Sequence, residues 1–187
     1  MSSGKIIAAH ELQARWAYAE LDSERFGANF SGPELDRLRG EKARGKAFDQ
    51  IDRADHAALV RLLYSSRDAG LIGAVSAASN YRAEEWTKVQ FTRIFVVPHY
   101  GNGRFVPYAE FYFGAPRTGP DGSLDEDDAR VQALRIPAAP DPQDVERLIL
   151  VRRQGLLVLV EGYLRSVVFM RSPDPNLLIP VWAPVES

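Results

Sequence analysis

The sequence predicts an α+β protein in which a helical N-terminal part packs on a mixed β-sheet. Up to about residue 50, apolar residues recur every three to four positions, which is typical of amphipathic helices. From Thr87 onward, β-branched and aromatic residues gather in short runs separated by turn residues. We therefore expect a helical segment over residues 1–50 and an α+β domain over residues 51–187, or one single domain overall.

Composition narrows the class of protein. Apolar residues make up 45% and charged residues 26% of the chain, as in proteins that bury a core. Cysteine is absent, which excludes disulfides, thiol nucleophiles and cysteine-ligated metal sites. The longest apolar runs, Leu71–Val75 and Leu156–Val160, are too short to span a bilayer, and Met1–His10 lacks the apolar region of a signal peptide. We therefore expect a cytoplasmic protein without membrane insertion.

Charge and histidine spacing give no strong signal for nucleic acid or metal. The net charge is −2, so no global basic surface is expected. His10, His56 and His99 are widely spaced, and none has a partner at a clear metal-ligand spacing. We predict no resident metal site built on histidine.

Two helices are predicted near the N-terminus. The first runs from Ala9 through Phe26, with Gly27 as its C-terminal signal. The second follows Ser31–Glu34, where a capping-box spacing includes proline in the first turn, and extends to about Phe48. Its polar face, interpreted as solvated with a DNA-contact stripe as the alternative, carries the basic residues Arg37, Arg39, Lys42, Arg44 and Lys46.

The middle of the chain fits two interpretations. Asp55 is a candidate cap for a helix through Tyr64, but Ala58–Ser65 and Leu71–Ala77 would also fit a hairpin. Two antiparallel strands are then predicted, over residues 89–97 and Phe105–Phe113, joined at Asn102-Gly103. A polar loop is predicted over Ala115–Arg130, and its Asp125–Asp128 run is a weak candidate for binding a cation. A strand over Val131–Ile136 and a proline-broken connector over Pro137–Asp144 follow. The connector is predicted to end in a short helical turn, Asp144–Leu148.

The last part of the chain has the clearest pattern. Leu148–Arg153 and Leu156–Glu161 are predicted strands around a Gln154-Gly155 turn. A glycine corner, a short helix and a strand ending at Ala183 follow. Five consecutive apolar residues, Leu156–Val160, predict a central strand buried on both faces.

The corner between strand and helix is the candidate site, because N–H groups at a helix N-terminus favour phosphate. Arg165 can donate two parallel hydrogen bonds to a phosphate, and Glu161 can accept from a ribose hydroxyl or hold a metal-bound water. Ser166 can cap the helix while contacting an oxyanion. The alternative is a purely structural corner, in which Glu161 and Arg165 form an ion pair with each other while Tyr163 and Leu164 pack in the core. The candidate set comprises Glu161 and Glu146 as catalytic carboxylates, and Gly162, Arg165, Ser166, Arg152 and Arg153 as phosphate-binding residues, the last two extending a basic rim.

This order of elements resembles the core of the ParB/sulfiredoxin superfamily. Members share a strand of the PIxVRR type, a turn, a strand ending before glycine, an arginine two or three residues later, a helix and an IPV-type strand. Here these are Leu148–Arg153, Leu156–Glu161, Gly162-x-x-Arg165 and Ile179–Val181. The resemblance implies binding of a nucleoside triphosphate with Mg²⁺.

Departures from the family restrict that implication. The cysteine and histidine of sulfiredoxins are replaced by Tyr163 and Leu164, which excludes sulfinic-acid reduction. Leu164 also stands where ParB has a second arginine, and the sequence ends at Ser187 without the ParB helix-turn-helix, so we expect no partition protein. Size and layout are similar to plasmid fertility-inhibition proteins of the oncogenic-suppression (Osa) type. This implies an ATPase or DNase that acts on DNA and blocks conjugation or type IV secretion.

Two other classes remain open. An acetyltransferase of the GNAT type would use Val60–Ala77 as its central hairpin and Gly101-Asn-Gly103 in its coenzyme A loop, although Pro98 replaces the usual basic or amide residue. A non-catalytic interaction protein would dock a partner on Phe105–Phe113 if that strand lies at a sheet edge. DNA binding, if present, would be weak, sequence-independent and sensitive to salt.

Overall fold

The computed structural model describes residues 4–23, 32–97, 103–112, 120–123, 126–134 and 147–186. Within them lie eight α-helices and a seven-stranded mixed sheet with strand order β1-β2-β7-β5-β6-β3-β4, which confirms the α+β class. The helices are α1 (Ala9–Glu20), α2 (Pro33–Ala43), α3 (Arg53–Ser66), α4 (Ala69–Ser76), α5 (Lys88–Phe91), α6 (Tyr108–Tyr112), α7 (Glu126–Ala133) and α8 (Tyr163–Arg171). The strands are β1 (Ile6–Ala8), β2 (Asn80–Trp86), β3 (Phe95–Val96), β4 (Val106–Pro107), β5 (Leu148–Arg153), β6 (Leu156–Glu161) and β7 (Ile179–Pro184).

The described residues divide into two compact units. The first contains residues up to Arg82 together with the last described residues from Pro184. The second contains the described residues from Ala83 to Leu134 and from Arg147 to Ala183.

The first unit is mainly helical and contains α1, α2, α3 and α4. Helix α1 covers the first part of the expected helix, whereas Phe26, Gly27 and Ser31 lie outside the described residues. Helix α2 starts with Pro33 after Gly32 and stops at Ala43, earlier than expected. Gly45 adopts φ 84°, and the Lys46 N–H donates to the Glu41 carbonyl, so a Schellman motif ends the helix before Phe48.

Helices, rather than a hairpin, occupy most of residues 54–80. Helices α3 and α4 occupy the stretch, so the hairpin interpretation is wrong. Asp55 lies inside the first turn of α3 rather than at its cap, and it is buried against Arg37. The Asp68 side chain accepts from the Leu71 N–H and starts α4.

In the second unit, the structure differs from the three strands predicted between residues 87 and 136. Thr87 and Gln90 form a capping box that starts α5, so the first three residues of the expected strand over 89–97 are helical. A turn follows at Thr92 and Arg93, and only β3 remains of the strand. β3 and β4 do pair antiparallel, over two residues each. Phe105–Phe113 is not one strand, because α6 begins directly after Pro107. The described part of the expected strand Val131–Ile136 is not a strand, since Val131 belongs to α7 and packs in the core; residues 135–136 lie outside the described residues.

The last part of the chain folds in the predicted order β5, turn, β6, α8, β7. β5 pairs antiparallel with β6 and parallel with β7, while β6 pairs parallel with β3 on its other side. Val158, Leu159 and Val160 are buried, so β6 is an interior strand as its apolar run predicted. Leu148, Leu150 and Leu159 pack with Tyr163 and Val167 of α8 in the core of this unit.

The β5–β6 turn allows a stability prediction. Gln154 and Gly155 have φ values of 53° and 76°, as a two-residue type I′ turn requires. Glutamine is strained in this region, whereas asparagine tolerates it. Gln154→Asn should therefore raise the free energy of unfolding by about 0.5–1 kcal/mol. Urea denaturation measures the change, and a loss of stability would contradict a type I′ turn.

Candidate functional site

The candidate corner is built on Gly162, between β6 and α8. Gly162 has φ 88° and ψ 25°, a left-handed conformation that glycine adopts without strain. It is the N-cap residue of α8 and, as a glycine, has no side chain with which to cap the helix. The first backbone N–H groups of a helix have no acceptor within the helix and carry the positive end of its dipole. This end of α8 therefore suits an anionic group.

The corner also packs tightly on β5. A Cβ atom on Gly162 would lie 2.3 Å from Leu148 Cδ2 and 3.4 Å from Leu148 Cα. At 2.3 Å the Leu148 side chain would have to move away from the added methyl group. The Leu148 backbone, at 3.4 Å, leaves little room for that adjustment in a close-packed core. Both the φ angle and this approach therefore require glycine at residue 162.

A β-bulge lies next to the corner. Leu150 pairs with Leu159, but Ile149 pairs with Glu161, so β6 has one extra residue, Val160. Bulges bend a strand and change the direction of a side chain, and they are common beside functional sites. Here the irregularity immediately precedes Gly162 and sets the position of Glu161.

Glu161 and Arg165 meet at this corner. Arg165 Nη2 lies 3.6 Å from Glu161 Oε1, and the side chains are 27% and 17% exposed, respectively. The pairing that the structural alternative requires is thus present. The separation is that of an ion pair longer than a good hydrogen bond, and partly exposed pairs of this kind contribute little to stability.

Ser166 does not contribute its hydroxyl to the corner. The side chain is fully buried, and its hydroxyl donates to the Tyr163 carbonyl at 2.6 Å. The same oxygen therefore accepts from the Tyr108 hydroxyl at 2.8 Å. Ser166 joins α6 to α8 inside the core, and we do not retain it as an anion contact.

The structure does not bring Arg152 and Arg153 to the corner. They pair with Leu157 and Leu156 at the turn end of the β5–β6 hairpin, whereas Glu161 pairs at the other end. The Arg153 guanidinium packs over the Phe105 ring, 5.6 Å from its centroid. An antiparallel hairpin separates its turn from its open end, so the two arginines lie apart from the corner and we do not retain them as a basic rim. Glu146 lies outside the described residues.

The basic residues of α2 are engaged within their own unit. Lys42 Nζ donates to the Tyr18 and Ala19 carbonyls at 2.9 and 3.1 Å and pairs with Asp22. Arg37 pairs with Glu41 and Asp55. These contacts close the end of α1 and join α2 to α3, which favours a structural role over a DNA-contact stripe.

Sequence reasoning missed the ion pair that Asp128 forms with Arg171. Asp128 is fully buried, and its carboxylate lies 2.5 Å from Arg171 at the end of α8. The acidic run around Asp128 had suggested a solvated loop or a weak cation site, of which Asp125 lies outside the described residues. A signal was available, because Asp128 and Val131 are three residues apart and share one helical face.

Comparison with known proteins supplies no family for this chain: no family model, no curated protein and no solved structure matches it. Among the described residues, no group of three or more histidine, aspartate or glutamate side chains is arranged to hold a metal ion. In the same part of the chain, no helix is both long enough and apolar enough to cross a membrane.

Proposed function

We propose that the Gly162 corner binds the phosphate of a nucleotide. The observation that carries the proposal is the N-terminus of α8, where the N-cap residue, a glycine, supplies no side-chain cap and where the Arg165 guanidinium, from the first turn, is partly exposed. Helix N–H groups and a guanidinium together form charge-assisted hydrogen bonds to phosphate. The resemblance to the ParB/sulfiredoxin superfamily, carried by Gly162-x-x-Arg165, supports the same ligand class.

In this proposal, ligand binding separates the Glu161–Arg165 ion pair, and each side chain contacts a different part of the ligand. The Arg165 guanidinium donates to the phosphate, and Glu161 then accepts a hydrogen bond from a ribose hydroxyl or from a water bound to Mg²⁺. A bare anion would be repelled by Glu161, so a nucleoside triphosphate carrying Mg²⁺ suits the corner better. Glu161, with Glu146 as the second candidate, would orient the water that attacks the terminal phosphate.

The wider role that we propose follows the Osa-type resemblance, namely nucleotide hydrolysis and action on DNA in blocking conjugation or type IV secretion. The engaged cations of α2 favour only weak, salt-sensitive DNA contact. The acetyltransferase alternative is disfavoured, because α3 and α4 occupy the place of its central hairpin. The strand that would dock a protein partner is interrupted by α6, which weakens the interaction-module alternative.

Ligand titration with matched variants tests the corner. Purified protein is titrated with fluorescent ATP, CTP and acetyl-coenzyme A in the presence of Mg²⁺. Arg165→Ala should weaken nucleotide binding about 10- to 150-fold, the effect of losing a charge-assisted contact. Arg152→Ala removes the same charge at the far end of the hairpin and should leave binding unchanged. Equal effects of both variants, or binding of coenzyme A alone, would overturn the proposal.

Action on DNA needs its own assay. Plasmid and linear DNA are incubated with Mg²⁺ and the wild-type protein, Glu161→Ala or Arg165→Ala. Cleavage lost in both variants supports the corner as the catalytic site. Cleavage that survives both substitutions would assign the activity elsewhere, and absence of DNA binding at low salt would contradict action on DNA.

A further inference from the structure

Phe48 lies in a 3-10 turn, Phe48–Gln50, between α2 and α3 of the first unit. Its buried ring contacts the His56 imidazole at a centroid distance of 4.7 Å and an interplanar angle of 30°. The Arg15 guanidinium packs over the same ring, 4.4 Å from the centroid. One aromatic ring thus contacts a fixed cation and a titratable base.

The carboxylates near this ring already have cationic partners. Arg15 is almost fully buried and pairs with Glu11 and Asp49, and Asp49 also pairs with Lys5. Arginine is a permanent cation in proteins. A second positive charge on the ring would therefore lie close to Arg15, while the nearest carboxylates are shared with existing ion pairs.

We propose that the Phe48–Gln50 turn is a pH-sensitive joint between α2 and α3, which loosens in mild acid when the stacked His56 imidazole takes up a proton. The joint lies in a different unit from the Gly162 corner and does not depend on the proposed function.

The electrostatic surroundings of His56 support this direction. Burial is the largest influence and lowers the pKa of His56 below its ordinary value of 6.5. Glu11 opposes that shift, whereas Arg15, His10 and Arg53 add to it. The unfolded chain therefore binds a proton at a higher pH than the folded chain does. The joint is fully stable above about pH 6.5 and loses stability as the pH falls through the folded pKa.

Amide hydrogen exchange tests the joint directly. The Gln50 and Ile51 amides, which donate to the Ala47 and Phe48 carbonyls, report the turn. After correction for intrinsic exchange, their protection should fall several-fold between about pH 7.5 and about pH 5. His56→Gln, which cannot take up a proton there, should abolish this pH dependence.

Controls separate His56 from its neighbours. His10→Gln removes an exposed histidine that does not stack on Phe48, and the pH dependence should persist in it. A pH-independent turn in the wild type, or an unchanged pH dependence in His56→Gln, would overturn the proposal. A His56 imidazole titration by NMR with a midpoint at or above 6.5 would also overturn it.

Discussion

Gly162→Ala should destabilise the protein by about 3 kcal/mol or more, the largest effect that we expect from removing or adding a single methyl group. Two costs combine at this position. Alanine is strained at φ 88°, and its Cβ would lie 2.3 Å from Leu148 Cδ2. Urea denaturation followed by circular dichroism gives the change in the free energy of unfolding.

Gly155→Ala is the matched control for this prediction. Gly155 has a similar positive φ of 76°, but nothing lies within 4 Å of the Cβ position. Only the backbone strain of about 1–2 kcal/mol should therefore appear. If the two variants lost equal stability, the close approach of the corner to Leu148 would not matter energetically.

Arg171→Met should cost about 3–5 kcal/mol, because it deprives a buried carboxylate of its guanidinium. Asp128 is fully buried, whereas Arg171 is 22% exposed, so methionine can occupy the path of the arginine stem. Thermal and urea denaturation of the single variant measure the loss. Exposed pairs such as Arg39–Asp36 should cost less than about 1 kcal/mol when broken in the same way.

A second variant separates charge from packing in this pair. Adding Asp128→Asn to Arg171→Met should recover part of the loss, since the buried charge is then removed. A double variant as unstable as Arg171→Met would mean that only the packing of Arg171 matters.

The last part of the fold could be predicted because local and tertiary signals agree there. Gln154-Gly155 supplies two positive φ angles, Gly162 a third, and the apolar run of β6 fits an interior strand. The segment around Tyr108 has an alternating aromatic pattern that suggests a strand. Its helix is instead stabilised by contacts invisible in sequence, namely the Phe91 ring at 5.0 Å and the Ser166 hydroxyl.

The candidate site was predictable to the same limited extent. Glu161 and Arg165 are four residues apart, and the structure places them in contact. Arg152 was placed beside them because it is near in sequence. The antiparallel register puts it at the opposite end of β5, a consequence of strand length that sequence proximity obscures. The burial of Ser166 depends on Tyr108, which lies far away in the chain.

The most direct measurement of the central claim is amide chemical-shift mapping of ¹⁵N-labelled protein titrated with Mg²⁺-ATP and, separately, with inorganic phosphate. Binding of Mg²⁺-ATP at the N-terminus of α8 predicts saturable shifts at the Gly162, Tyr163, Leu164 and Arg165 amides, together with the Arg165 side-chain N–H. Inorganic phosphate, a bare anion that Glu161 repels, should shift the same amides only at higher concentration. Arg165→Ala should suppress these shifts, and Arg152→Ala should not. Saturable shifts confined to other parts of the chain, or no shifts at millimolar nucleotide, would contradict a phosphate site at this corner.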